Sequence, residues 1–406
     1  KREENNMAKP LDGIKVLDMT KVLAGPYCGM MLRNLGAEVI HCEMPGTGDD
    51  ARAYGPYVNG ESIYFLSINR GKKSIEINAK TPEGKKVLTD LIKKVDVYVQ
   101  NFKPGALDKM GFGYEDVKKI NPRCVYVAIS GFGQTGPYAN RPAYDMIVQA
   151  MGGVMSITGE PDGNPVRVGT SIGDIIAGMM GAYGALAALY ERQTTGVGQL
   201  VDISMLDCQV AILENAIAKY SATGQVARPL GLKHPSITPF EAYRTKDSWV
   251  IVAAGNNKLF AKFCEVTGRQ ELIDDPKFST NPERNKNMHE LSNLMQEKIK
   301  DKTTDEWLKI FVDNGIPCGP INSIDRLFED PQINYRNMLV EVEQPHMGKV
   351  RVAGNPVKLS TVPAEDELPH EPAPQVGEHN VEILRDVLGY SDDEIKAYID
   401  TLPKKE

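Results

Sequence analysis

The stretch Ile14–Glu43, IKVLDMTKVLAGPYCGMMLRNLGAEVIHCE, decides the fold. Two short runs rich in β-branched residues, IKVLD and EVIHCE, enclose a segment of helical character, Tyr27–Leu35, that Gly36-Ala37 closes. Strand, helix and strand joined by short turns make a βαβ unit, and such units build parallel sheets. The alternation continues outward. Thr81-Pro82-Glu83 is a helix start, a capping hydroxyl followed by proline at the first helical position, and its helix runs to about Lys94. Strands follow at Val95–Val99, Cys124–Ser130 and Gln199–Ser204, with a helix at Tyr114–Ile120. A mostly apolar helix is expected from Met205 to about Tyr220.

Before the last of these strands stands Ser171-Ile-Gly-Asp174, then IIAGMMGAYGALAALY over Ile175–Tyr190. This run is apolar on every side, so a helix buried all round is expected. Gly178, Ala182, Ala185 and Ala188 would let other backbones come close. The run nears membrane-spanning length, but it carries Asp174, is rich in glycine and lacks basic and aromatic flanks on both sides, so it reads as the core of a soluble protein. The first 200 residues thus read as α/β, with a Rossmann-like doubly wound parallel sheet in a large domain, 7–220. Residues 221–235 are a linker with Gly, Arg and Pro. A smaller α+β domain follows over 236–330: a hairpin of Phe240–Thr245 and Trp249–Ala254, then helices at about Lys258–Thr267, Lys286–Lys300 and Asp305–Asn314. Residues 331–356 form a second linker with strands at Leu339–Glu343 and Lys349–Val352. Residues 357–406 return to the large domain through a Pro/acid-rich connector, Pro363–Pro374, and end on a helix capped by Ser391-x-x-Glu394.

The totals narrow the function classes. The 406 residues exceed one typical core. A net charge of −7 gives no general pull towards nucleic acid or an anionic membrane, so neither partner is expected. Six scattered Cys without a CxxC pair read as reduced thiols of a cytoplasmic protein, and six scattered His without HxxxH spacing offer no metal site. The N-terminus, KREENNMAKP, has no apolar core of a secretory signal, and Met7 is the expected natural start.

Gly131-Phe-Gly-Gln-Thr-Gly136 matches GxGxxG after a strand. A dinucleotide fingerprint must open a helix towards the pyrophosphate, and Pro137-Tyr-Ala-Asn-Arg-Pro142 cannot be one. It reads instead as a loop that lets something approach the backbone closely. Lys80, Lys109 and Phe102 lie in loops at the carboxyl edge of the sheet, where basic side chains, an aromatic face and helix starts suit an anionic, nucleotide-like ligand. Asp174 has two readings: a cap for the orphan N–H groups of its helix, or a carboxylate held as nucleophile or base.

Together these motifs resemble class III CoA-transferases. The resemblance runs from about residue 10 to the end. It is carried by Leu11-Asp-Gly-Ile14, Ala24-Gly-Pro26, Leu35-Gly-Ala-Glu-Val-Ile40, Gly48-Asp49, Lys72-Lys73-Ser74-Ile75, Lys80-Thr-Pro-Glu-Gly84, Asn101-Phe102, Pro104-Gly-Ala-Leu107, Gly131–Pro137, Tyr144-Asp145, Gly173-Asp174, Gly315–Pro320 and Gly377-Glu-His379. It implies CoA transfer from an acyl-CoA donor to a free carboxylic acid, with Asp174 as nucleophile through aspartyl anhydride and aspartyl-CoA thioester intermediates. Coenzyme A enters as substrate, with no permanently bound cofactor and no metal. For CoA contacts it implies Val22 on the adenine side, Ile77, Ala79 and Lys80 at a strand end, and Asn101, Phe102, Ala106, Lys109 and Met110 in one loop. For the acid it implies Leu23 and Tyr144, with Gly255 and Asn256 in a loop resembling a glycine-rich flap. It further implies an interlocked homodimer.

Departures refine this. Leu23 replaces the polar glutamine of formyl-CoA transferase, which argues against oxalate and formate and admits a larger or more apolar acid; Met44 replaces an arginine. His234–Pro239 and Ala253–Asn257 look more like the succinyl-CoA:glutarate branch, favouring a dicarboxylic or hydroxy acid. The same fold carries α-methylacyl-CoA racemases, but their histidine matches Tyr144, a poor base at neutral pH. A racemase and a non-catalytic CoA-binding protein are the alternatives to a transferase.

Overall fold

The computed structural model describes residues 9–363 and 369–403. Met7, the residues before it and 364–368 of the Pro/acid-rich connector lie outside the described residues. The chain divides into two compact units. The first takes in the chain up to Met155, Arg167–Thr223 and everything from Pro331 on. The second joins Ser156–Val166 to Gly224–Asp330.

The first unit is built on β1 (Lys15–Asp18), α1 (Ala24–Asn34), β2 (Glu38–Glu43), α2 (Ile63–Asn69), β3 (Lys73–Glu76), α3 (Pro82–Ile92), β4 (Val97–Gln100), α4 (Tyr114–Ile120), β5 (Val125–Ser130), α5 (Asp145–Met151), α6 (Ile172–Thr195), β6 (Leu200–Ser204), α7 (Met205–Ala211) and α8 (Asn215–Thr223). All five strand pairings are parallel, in the order β3-β2-β1-β4-β5-β6. The βαβ reading of Ile14–Glu43 therefore holds, and Thr81 caps α3 by accepting the Gly84 N–H. The central strands are buried on both faces, as parallel sheets require, while the edge strand β6 is half-buried. Leu17, Ile40, Ile75 and Tyr98 face α3, α4 and the C-terminal residues Ile383, Leu384 and Tyr398. Val16, Val39, Val97 and Val127 face α1 and α6. The C-terminal segment is tied to β3: Asn380 accepts the Glu76 N–H at 2.8 Å and donates to its carboxylate at 2.9 Å. The 331–356 stretch carries an antiparallel hairpin, Leu339–Gln344 with Gly348–Ala353.

Two expectations need correction. Helix α6 is not buried all round: Met180, Tyr183 and Tyr190 are exposed, the tyrosines at 71% and 77%, and with Ala187 they form one stripe at helical spacing. The other face behaves as expected. A Cβ on Gly178 would stand 2.6 Å from the Ala24 carbonyl oxygen, so α1 crosses α6 nearly backbone to backbone. By length and composition α6 could span a membrane, yet its small residues pack on the sheet. The second correction concerns the helix after β6, which breaks at Ile212–Glu214 because Glu214 adopts φ +38° and Leu213 turns in against Gly153.

The second unit holds a three-stranded antiparallel sheet, β9 (Cys318–Pro320), β8 (Trp249–Ala253), β7 (Phe240–Arg244), with helices α9 (Asn257–Thr267), α10 (Met288–Ile299) and α11 (Thr304–Asp313). Its core gathers Tyr243, Val250, Phe263, Trp307 and Phe311. The Thr303–Glu306 capping box forms as its spacing predicts.

Candidate active site

The strand order reverses between β1 and β4: from β1 the chain winds outward to β2 and β3, then returns to β4. The loops that leave these neighbouring strands part in opposite directions, and a crevice opens at their carboxyl ends. A cavity of about 310 Å³ lies there, lined among others by Lys21, Val22 and Leu23 after β1, Asn101 and Phe102 after β4, and Asp174. Asn101 clamps the first loop to the second. Its Oδ1 accepts the Lys21 N–H at 2.9 Å and its Nδ2 donates to the Lys21 carbonyl at 2.8 Å. A third wall is the 139–144 loop, which comes so close to the end of β5 that a Cβ on Gly131 would collide with Ala143. That is the close approach expected of the Gly131–Gly136 motif, which starts no helix.

Asp174 sits in the first turn of α6 and is half-buried. It does not cap the helix. The Gly173 N–H goes instead to Asp145 Oδ1 at 2.8 Å, while Asp145 Oδ2 accepts from Gln149 at 2.8 Å. This hold needs glycine at 173, since a Cβ there would stand 2.7 Å from Val148. Among the described residues Asp174 has no hydrogen-bond or ion-pair partner. Burial, with the Asp145 carboxylate nearby, pushes its pKa from 3.8 up to about 7. Tyr64 reports the same charge from its side: burial and Asp174 push the phenol up to about 12. Leu23 packs beside Tyr64 and Ile175, so the wall after β1 touches the helix that carries the carboxylate.

A carboxylate at a helix mouth, half in water, with no partner among the described residues and a pKa raised towards neutrality, has the chemistry to act as a nucleophile or a base. A sequence profile of CoA-transferase family III matches residues 11–380. The chain belongs to CoA-transferase family III. The human succinyl-CoA:glutarate CoA-transferase is 42% identical over 96% of this chain and 89% of its own length. The acetyl-CoA:oxalate CoA-transferase of Acetobacter aceti is 42% identical over 89% of this chain and 92% of its own. A solved CAIB/BAIF family protein from Brucella suis superposes with a TM-score of 0.84 at 38% identity, covering 94% of this chain and 100% of its own. The chain is thus a transferase of CoA, acting on acyl-CoA and carboxylic acids.

Of the residues the family resemblance marks, Val22, Leu23, Asn101, Phe102, Tyr144 and Asp174 share the transferase's cavity. Ile77, Ala79, Lys80, Ala106, Lys109 and Met110 lie outside its lining. Ile77 and Ala79 are buried in the core, while Lys80 and Lys109 are exposed. A second cavity of about 280 Å³, bordered by Gln100, Asp108, Tyr126 and Gln134, shares Lys103 and Pro104 with the first. Gly255 and Asn256 belong to the second unit. There the Gly255 carbonyl accepts from Arg284 at 2.6 Å, and Asn256 caps α9 through the Leu259 N–H at 2.9 Å. Two residues near Tyr144 had no role assigned from sequence. Asp145 helps to raise the Asp174 pKa, and Arg141 lines the cavity with its guanidinium over Tyr138 at 4.6 Å and Phe132 at 5.5 Å. The signal for both was nearness to Tyr144 in sequence, Arg141 in the loop before it and Asp145 at the start of α5.

Proposed function

We propose that the enzyme exchanges CoA between two carboxylic acids by covalent catalysis on Asp174, with a dicarboxylic acid as acceptor. The carrying observation is the unpaired, half-buried Asp174 carboxylate in a cavity between the β1 and β4 loops. In the first step the Asp174 carboxylate attacks the thioester carbonyl. The C–S bond breaks, CoA leaves as thiolate, and a mixed anhydride forms. The thiolate then attacks the Asp174 carbonyl, releasing the first acid as carboxylate and leaving an aspartyl-CoA thioester. The acceptor carboxylate attacks that thioester to form a second anhydride. The returning thiolate takes the acyl group, and Asp174 is free again. Each step is an acyl transfer between groups already held in place, which splits one difficult exchange into easier ones.

The acceptor class rests on Arg141 and on relatives named for glutarate and oxalate. While one carboxylate reacts, the other can meet the Arg141 fork. The apolar Leu23 favours a glutarate-sized acid over oxalate. In this reading Val22, Lys80, Asn101, Phe102, Ala106, Lys109 and Met110 line the path of CoA, Ile77 and Ala79 support it from the core beneath, and Tyr144 stands at the acid. The family resemblance supports a flap role for Gly255 and Asn256. The exposed Met180–Tyr183–Tyr190 stripe supports a homodimer, and the family resemblance an interlocked one. Six free thiols suit the reducing cytoplasm. The test is hydroxylamine trapping during turnover with succinyl-CoA and glutarate: mass spectrometry should find the hydroxamate on Asp174 alone. Turnover with unmodified Asp174 refutes the proposal.

A further inference from the structure

A buried charge cluster lies beneath the Lys21–Leu23 loop, and the acyl-transfer steps use none of it. His41, on β2, is wholly buried. Its Nε2 lies 3.2 Å from Asp49 Oδ2. Its Nδ1 lies 3.4 Å from Asp18 Oδ2, at ion-pair distance but off the hydrogen-bond line. Burial works against a charged ring, but the two carboxylates outweigh it and hold the pKa up at about 9. Asp18 is anchored on its other side by Lys72 Nζ at 2.8 Å. Asp49 Oδ1 accepts the Val22 N–H at 3.0 Å and the Ala51 N–H at 2.8 Å.

What hangs on this chain is a strained residue. Val22 stands at φ +68°, in the left-handed region that a β-branched side chain resists. Such a conformation persists only where its surroundings over-determine it. Val22 and Leu23 form one wall of the cavity that holds Asp174, and Leu23 packs against Ile175.

We infer that His41 is a positioning residue: held between Asp18 and Asp49, it fixes the carboxylate that keeps Val22 in its left-handed turn, and so sets the cavity wall that receives acyl-CoA. The inference rests on the reading of this cavity as the acyl-CoA site. A cluster that merely stabilised the sheet would leave substrate affinity alone.

The test is a double-mutant cycle with His41→Gln and Val22→Gly, assayed with succinyl-CoA and glutarate. His41→Gln keeps a donor for Asp49 and removes the charge. In the Val22 background it should raise KM for succinyl-CoA about tenfold, equivalent to about 1.4 kcal/mol, with kcat changed less than about twofold. Glycine adopts the turn unaided, so in the Val22→Gly background the same substitution should change KM less than about twofold. If His41→Gln does not fold, Asp49→Asn replaces it. That variant keeps an acceptor for the Val22 amide without the charge that fixes it, and the same expectation applies. An equal KM rise in both backgrounds, a change in thermal midpoint alone, or a fall in kcat with KM unchanged overturns the inference. Failure of the cavity reading looks different: Val22→Gly and Leu23→Asp would then both leave KM for succinyl-CoA untouched.

Discussion

Replacing Asp174 by asparagine should stabilise the protein, and by an amount that depends on pH. The carboxyl pKa rises on folding from 3.8 to about 7, so the folded chain holds this proton where the unfolded chain has lost it. Below about pH 3.8 both states are protonated and the group costs nothing. As pH climbs from about 4 to 7 the unfolded state gains the free energy of ionisation and the folded state does not, so stability falls. Above about 7 the loss is complete. At about 1.4 kcal/mol for each pH unit the ceiling is about 4 kcal/mol, and the solvent-facing edge of the carboxylate reduces this to roughly 2 kcal/mol. Asparagine has nearly the same shape and never ionises. Urea unfolding of both proteins from pH 4.5 to 8.5 should show Asp174→Asn gaining stability over the parent as pH rises, with a plateau near pH 8. A variant less stable than the parent at pH 8, or a difference independent of pH, would refute the claim that this carboxylate is buried without a partner.

Further outcomes follow from the same geometry. With Asp174 as nucleophile, kcat/KM should rise with pH through about 7 in the free enzyme; a flat pH–rate profile across pH 6–8 would count against it. Arg141→Leu should raise KM for glutarate by about 10-fold or more while sparing butyrate, whereas equal losses for both acids would move Arg141 to the CoA phosphates. Tyr183→Glu with Tyr190→Glu should shift the mass in light scattering from dimer towards monomer, since both side chains stand exposed on one stripe; an unchanged mass speaks against that face. Gly178→Val should cost about 3 kcal/mol or more, because its Cβ would meet the Ala24 carbonyl at 2.6 Å, and calorimetry should find a midpoint lower by several degrees.

What could be read from sequence was what short-range chemistry dictates. The run from Ile14 to Glu43 shows its βαβ character because β-branched runs and a glycine stop each act within a few residues. Thr81, Thr303 and Ser391 cap helices where their spacing says they should. Asp174 could be singled out because it interrupts an apolar run. Its environment could not, since the Gly173 N–H it might have capped is taken by Asp145, which the first turn of α5 delivers. The exposed face of α6 was equally hidden. An all-apolar helix reads as buried, and only the folded chain shows that sheet and α1 cover one side and leave Tyr183 and Tyr190 bare. His41 escaped notice because its meaning lies in contacts with Asp18 and Asp49, whose distances only tertiary structure sets.

The unit treats its buried carboxylates in two opposite ways, and the contrast bears on mechanism. Glu43 meets Arg52 at 2.7 Å, the Ser74 hydroxyl at 2.6 Å and the Asp49 N–H at 2.8 Å. Asp18 and Asp49 are likewise held by cations and amides. Burial would raise all three pKa values, but their partners reverse the effect and keep them low. A carboxylate so fully satisfied is a poor nucleophile, because attack must first break its hydrogen bonds. Asp174 has a raised pKa and, among the described residues, no partner. The destabilisation worked out above is stored in the resting enzyme as an ionised oxygen without donors. In the proposed mechanism, forming an anhydride bond would remove that charge from the buried carboxylate, so the strain would be relieved as the reaction proceeds. If this is right, a donor placed beside the carboxylate, as by Ile175→Asn, should lower the pKa seen in the pH–rate profile, strengthen the fold at pH 8 and slow the first acyl transfer. Faster turnover together with a lowered pKa would show that ionisation, and not the missing partner, limits the attack.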